Sequence, residues 1–200
     1  GLLDSHICRV GNYEKLQSKN QLLVCKGIDS SGIPFYEDEA SLFGVDFSGF
    51  STQAAFFDYD LDGDLDFFLL NHSLRYNNTF APRSNFAASV DSLSKDMLYR
   101  NDGSRFTDIS EKAGIHQSVI GYGLGIAVAD INMDGWPDIY IGNDFHENDY
   151  LYINDKKGGF TEELTSRTAH SSQFSMGVDV ADINNDAWPE IITADMLPSD

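Results

Sequence analysis

The sequence predicts an all-β chain forming part of a β-propeller, and three observations carry that reading. An acidic nine-residue segment occurs three times, as Asp58–Asp66, Asp130–Asp138 and Asp182–Glu190. Short apolar runs of Val, Ile, Leu, Tyr and Phe recur at matching places around each copy, bounded by Gly, Asn and Asp, which is the pattern of strands and turns. No stretch long enough for an ordinary helix keeps a 3.6-residue apolar period. Four short strands per unit, repeated, point to blades.

The elements follow in chain order. Gly1-Leu2-Leu3-Asp4 stands where the second half of the acidic segment stands in later copies, and Leu22–Cys25 and Phe35-Tyr36-Glu37 supply the third and fourth runs of that unit. The next unit offers Ala54–Phe57, Phe67–Leu70, Leu98–Asn101 and Phe106–Asp108. A third offers Gly125–Ala129, Asp138–Gly142, Tyr150–Asn154 and Phe160–Leu164, and the last stops after Gly177–Val180 and Ile191-Ile192. The acidic segments start 72 and then 52 residues apart, so residues 72–95, rich in Ser and Asn, read as an insertion. Residues 1–200 are thus expected to form one fragment of a propeller domain, about three blades: a partial blade over 1–36, repeats over 37–108 and 109–164, and a partial repeat over 165–200. Single helical turns fit Glu37–Phe43, Asp108–Ala113 and Glu162–Ala169. The remaining blades are expected in a longer parent chain.

Composition narrows the function classes. Lys+Arg 13 against Asp+Glu 32 gives a net charge of −19, a field that repels nucleic acid and anionic lipid. Hydrophobic residues at 42% with 14 Phe exclude an acidic disordered tail. Apolar runs such as Phe67–Leu70 fall far short of the ~20 residues that cross a bilayer, so no direct membrane insertion is expected. Asn71-His72-Ser73 and Asn77-Asn78-Thr79 match the glycosylation pattern, a weak signal in a chain rich in Asn and Ser. Cys8 and Cys25 fall on runs expected to pair as adjacent strands, which would allow a disulfide; two unrelated thiols are the alternative.

The acidic segment has a mechanical meaning. Oxygens at positions 1, 3 and 5 converge, Gly at 6 allows a sharp turn, the carbonyl of 7 faces inward and the acid at 9 closes a cage for a hard cation. An EF-hand starts similarly but needs Glu at position 12 between helices, where this chain has Leu69, Ile141 or Thr193 between strands. A metal-free Asp-rich turn is the plainer alternative. Three copies of carboxylates packed within a few ångströms favour calcium instead.

These segments resemble FG-GAP/VCBS-type repeats of integrin α-chain-like propellers, and more narrowly the bacterial repeat proteins related to cartilage acidic protein, although no ASPIC/UnbV segment is present. The resemblance implies a seven-bladed propeller, secreted or exposed on the cell surface or envelope, with structural Ca2+ and a role in adhesion or ligand binding. It implies three complete sites. The first has Asp58, Asp60, Asp62, Asp66 and the carbonyl of Asp64. The second has Asp130, Asn132, Asp134, Asp138 and the carbonyl of Trp136; the third has Asp182, Asn184, Asp186, Glu190 and the carbonyl of Trp188. Ala187 and Glu190 depart from the pattern of the third. Asp4 would close a further loop. The expected partner is a protein or glycan ligand on a propeller face, not nucleic acid.

A catalytic alternative, a propeller hydrolase or lyase acting on polysaccharide, rests on His146-Glu147 and on His170 with Ser171-Ser172. Polar turns between strands explain both clusters without catalysis. The non-catalytic scaffold is the leading expectation, with a purely structural spacer as a third reading.

Overall fold

The computed structural model describes residues 2–12, 14–74, 85–86, 89–145 and 147–196. Among the described residues, thirteen strands form four antiparallel sheets. The first holds β1 (Ser5–Ile7), β2 (Gln21–Ile28) and β3 (Pro34–Asp38). The second is the meander β4 (Ser51–Phe57), β5 (Asp66–Asn71), β6 (Met97–Asn101) and β7 (Phe106–Asp108). The third repeats it with β8 (Gly123–Ala129), β9 (Asp138–Asn143), β10 (Tyr150–Asn154) and β11 (Phe160–Glu162). The last pairs β12 (Ser175–Ala181) with β13 (Glu190–Asp195). Two of the three expected helical turns are helices, α1 (Ala40–Phe43) and α2 (Leu164–Arg167). The third closes as a turn, with Ala113 N–H donating to Ile109 at 2.8 Å.

Period-two alternation on the inner strands stacks these sheets. All six residues of β5 are buried, so both of its faces are covered. Phe67 and Leu69 face the first sheet, packing with Leu22, Val45, Tyr99 and Phe106. Phe68 and Leu70 face the third, packing with Ile126, Ile139, Ile141 and Tyr152. On β9 the same alternation sends Ile139 and Ile141 back to the second sheet and Tyr140 toward Val178 and Ile191 of the last. Strands covered on both faces read as continuous apolar runs, which is why these are the clearest segments in the sequence. The third and fourth sheets approach closely at Gly142, where an added Cβ would lie 2.6 Å from Val178 Cγ2.

Two readings that the sequence left open are decided. Cys8 and Cys25 are free thiols. Ser5 faces Leu23 and Ile7 faces Gln21, a register that carries the two cysteines to opposite ends of the β1–β2 pair. Asn71 is fully buried, and its Nδ2 donates to the Lys95 carbonyl at 2.6 Å, so its glycosylation pattern is inaccessible in the folded chain. Asn77 lies outside the described residues, as does much of the insertion. Of that insertion, Ser73 Oγ donates to Val119 and Phe86 packs against Val119, Ile120 and Tyr122.

Candidate metal centre

The three acidic loops join the first and second strands of their units, and each is wound by the same hydrogen bonds. The carboxylate at position 1 accepts the N–H groups of positions 5 and 6. Asp58 takes Asp62 and Gly63, both at 3.0 Å; Asp130 takes Asp134 and Gly135, both at 2.8 Å; Asp182 takes Asp186 at 3.1 Å and Ala187 at 2.9 Å. The carboxylate at position 5 then accepts the N–H of position 7, pairing Asp62 with Asp64, Asp134 with Trp136 and Asp186 with Trp188. Winding this tightly requires left-handed backbone twice. Position 4 adopts it with Leu61, Met133 and Asn185, at φ of 58°, 62° and 63°. Position 6 adopts it at φ 98° in Gly63, 88° in Gly135 and 72° in Ala187.

Nothing lies within 4 Å of a Cβ built on Gly63 or Gly135, so glycine serves there for its φ and not for space. Ala187 bears the strain its siblings avoid, roughly 1–2 kcal/mol, offset in part by the extra freedom glycine has when unfolded. Ala187→Gly should therefore stabilise the chain by about 0.5–1 kcal/mol. A urea midpoint that stays put would mean that Ala187 carries no such strain.

Position 9 ties each loop to the sheet. Asp66 is buried and accepts Tyr59 N–H at 3.1 Å on one oxygen and Asn101 N–H at 2.8 Å on the other. Asp138 likewise accepts Ile131 N–H at 3.0 Å and Asn154 N–H at 2.9 Å. Asp4 repeats the second contact, accepting Cys25 N–H at 2.8 Å. Glu190 holds Ile183 N–H at 2.9 Å, and its other oxygen takes Asn184 Nδ2 at 2.7 Å. Burial pushes Asp66 up to about 6, against the pull of its two backbone donors, and raises Asp138 as well.

Asn101 and Asn154 are the residues whose role the sequence did not disclose. Asn154 Nδ2 donates to Pro137 O at 3.3 Å and crosses to Tyr59 O of the neighbouring unit at 2.8 Å, while its Oδ1 accepts Lys156 N–H at 2.8 Å. Asn101 Nδ2 reaches Leu65 O at 3.1 Å and its Oδ1 accepts Gly103 N–H at 2.9 Å. Their recurrence in the Leu-Tyr-x-Asn-Asp pattern was the available signal. Asn154→Ala strands two carbonyls and one N–H in a buried place, and should destabilise by roughly 2–4 kcal/mol in urea unfolding. The more exposed Asn101→Ala should cost about 1 kcal/mol.

The loops differ at position 3. Asn132 donates its Nδ2 to Asp134 Oδ2 at 2.9 Å and Asn184 donates to Asp186 at 3.2 Å, so these loops satisfy part of their own charge. Asp60 has no N–H to give. Its Oδ1 is buried without a partner, and so is the Oδ1 of Asp64, a residue expected to offer only its carbonyl. Burial, then Asp62, Asp60 and Asp58, raise the Asp64 carboxyl. Carboxylate oxygens of Asp58, Asp60 and Asp66 lie within 4.8 Å of one another, a set that could hold a divalent ion. Among the described residues, this is the one such group of three acids. At Asp134, burial opposes ionisation, but the Lys156 ammonium 3.1 Å away and the Asn132 amide hold the carboxyl below its usual range.

Among the described residues, the catalytic-looking side chains do not assemble. His146 lies outside the described residues. Glu147 is buried and accepts Ser118 Oγ at 2.8 Å. His170 and Ser171 are exposed beside a shallow 220 Å³ depression, and Ser172 Oγ donates to Asp195.

Repeated antiparallel sheets, three of them with an Asp-rich loop between their first two strands, define the class. Residues 85–141 and 130–193 match the FG-GAP-like repeat family, and the chain belongs to it. It is 31% identical to integrin alpha-6 of Gallus gallus over 121 residues, 56% of this chain and 11% of that protein. It is 33% identical to integrin alpha-7 of Homo sapiens over 129 residues, 56% of this chain and 10% of that protein. The chain thus spans about a tenth of the length of the curated relatives it matches.

Proposed function

We propose that the chain is part of a calcium-stabilised, extracellular propeller scaffold, seven-bladed when complete, that binds a protein or glycan ligand on a propeller face. The convergence of Asp58, Asp60 and Asp66, with an orphaned buried oxygen on Asp60, is the observation that carries the reading. The first loop would hold calcium through these three with Asp62 and Asp64. Its siblings would use Asp130, Asn132, Asp134, Asp138 and the Trp136 carbonyl, and Asp182, Asn184, Asp186, Glu190 and the Trp188 carbonyl. Calcium supplies charge neutralisation and a cross-link between oxygens that otherwise repel. The chain itself winds the loop and anchors it to the sheet through Asp66 and Asp138. Its units would divide at 1–36, 37–108, 109–164 and 165–200. Integrin-like relatives support an adhesive role, and no helix among the described residues is long and apolar enough to cross a membrane.

Immobilised protein should retain an extracellular-matrix protein or a glycan from a panel in calcium and release it in chelator. Retention unaffected by chelator, or cleavage of a polysaccharide on the panel, would overturn the scaffold reading.

A further inference from the structure

We propose that the second loop carries its own counter-ion, the Lys156 ammonium, which competes with a divalent cation for Asp134; the proposal rests on the calcium reading. Lys156 follows Asn154 and Asp155 in the turn after β10, the turn that Asn154 fastens beside the loop through Pro137. Its Nζ lies 3.1 Å from Asp134 Oδ2, the same oxygen that accepts Asn132 Nδ2 at 2.9 Å. Asp134 Oδ1 is already taken by Trp136 N–H. A cation entering at position 5 must therefore displace an ammonium and an amide. The first loop differs at the matching place, which is Gly103 after Asn101 and Asp102. There the nearby cation, Arg100, pairs at 2.8 Å with Asp102 instead. Gly103 and Lys156 each follow an Asn-Asp pair in left-handed backbone, φ 81° and 59°, in turns that differ in length by one residue, so the same position is bare in one unit and bears an ammonium in the next. Both loops can then share a fold while differing in how much calcium each needs. The first is ordered by calcium, and the second stays wound at low calcium through Lys156.

Terbium, an oxygen-seeking stand-in for calcium, excited through tryptophan, reads this out, because Trp136 lies in the second loop and the first has Asp64 at that position. The measurement uses a background with Asp182→Asn and Asp186→Asn to silence Trp188. Lys156→Met, which keeps the apolar stem, and Lys156→Gly, which copies Gly103, should each tighten terbium at the second loop roughly tenfold, about 1.4 kcal/mol. In chelator, the Asp134 and Gly135 amides should exchange more slowly than those of Asp62 and Gly63, and should lose that protection in Lys156→Met. Equal terbium affinity before and after both substitutions overturns the role of Lys156 and leaves the calcium reading standing. Failure of terbium to bind any loop overturns both.

Discussion

Transfer from calcium to chelator should lower the melting temperature by roughly 5–10 °C through the first loop alone. A ligand that binds only the folded state at a hundredfold over its Kd contributes about 2.7 kcal/mol, and each kcal/mol shifts a chain of this size by about 2–4 °C. The second and third loops add to this, though less, because each has a neutral Asn in place of Asp60. The physical origin is repulsion. Asp58, Asp60 and Asp66 bring their oxygens within 4.8 Å of one another, and the Asp60 Oδ1 has no donor. At an effective dielectric near 20, unit charges this close repel by several kcal/mol. Asp60→Asn supplies the missing donor and copies the Asn132 arrangement. The variant should therefore melt higher than the parent in chelator and gain less from calcium. Coincident melting curves with and without calcium would leave the loops as Asp-rich turns held by their hydrogen bonds alone.

The acidic loops were legible because carboxylates at alternate positions around a glycine serve one geometry, and three copies remove coincidence. The strands were legible for a different reason. Runs such as Phe67–Leu70 and Ile139–Ile141 are apolar on both faces because sheets cover both faces. Repetition marks which residues recur, not which atoms meet. Asn101 and Asn154 recurred in plain view, yet their contacts with Leu65, Pro137 and Tyr59 depend on how the meander folds back. The left-handed residue at position 4 was hidden because Leu61, Met133 and Asn185 share no side-chain chemistry. Lys156 reaches Asp134 only from a turn one residue longer than its counterpart at Gly103. The cysteine pairing failed on register: Cys8 matches Gly142 and Cys25 matches Asn154, and the β9–β10 pairing of Tyr150 with Ile141 and Tyr152 with Ile139 already separates those positions.

A second seam lies at the other end of the same strands. There the residue just before the third strand accepts the N–H that ends the second strand. Asp96 accepts Asn71 N–H at 2.9 Å and Asp149 accepts Asn143 N–H at 2.8 Å. In the first unit the place is filled by Asn20, which accepts Arg9 N–H at 2.8 Å and donates its Nδ2 to Ser51 Oγ at 2.9 Å. Each of the first three sheets is thus pinned at both ends of its inner strand pair. A neutral amide performs at Asn20 the contact for which Asp96 and Asp149 use a carboxyl.

Asp96→Asn should consequently stabilise the chain, and by an amount that grows with pH. Burial, opposed by the Asn71 donor and reinforced by the neighbouring Glu147 charge, pushes Asp96 up to about 8 from 3.8. Below pH 3.8 the carboxyl is protonated folded or unfolded, so it contributes its full stability there. Between the two values the unfolded chain releases the proton and the folded chain keeps it, and stability falls by about 1.4 kcal/mol per pH unit. Above pH 8 both forms are ionised and the loss is complete. By pH 7 it amounts to roughly 4 kcal/mol as an upper bound, and relaxation around the site reduces it. The amide of Asp96→Asn keeps the acceptor for Asn71, carries no charge to be repelled by Glu147, and does not titrate. Variant and parent should unfold alike near pH 4, and the variant should melt about 5–10 °C higher near pH 8, the shift expected for 2–3 kcal/mol in a chain of this length. A difference that stays constant across that range would mean that Asp96 is ionised in the fold at every pH tested, with a cation or donor beside it that offsets its burial.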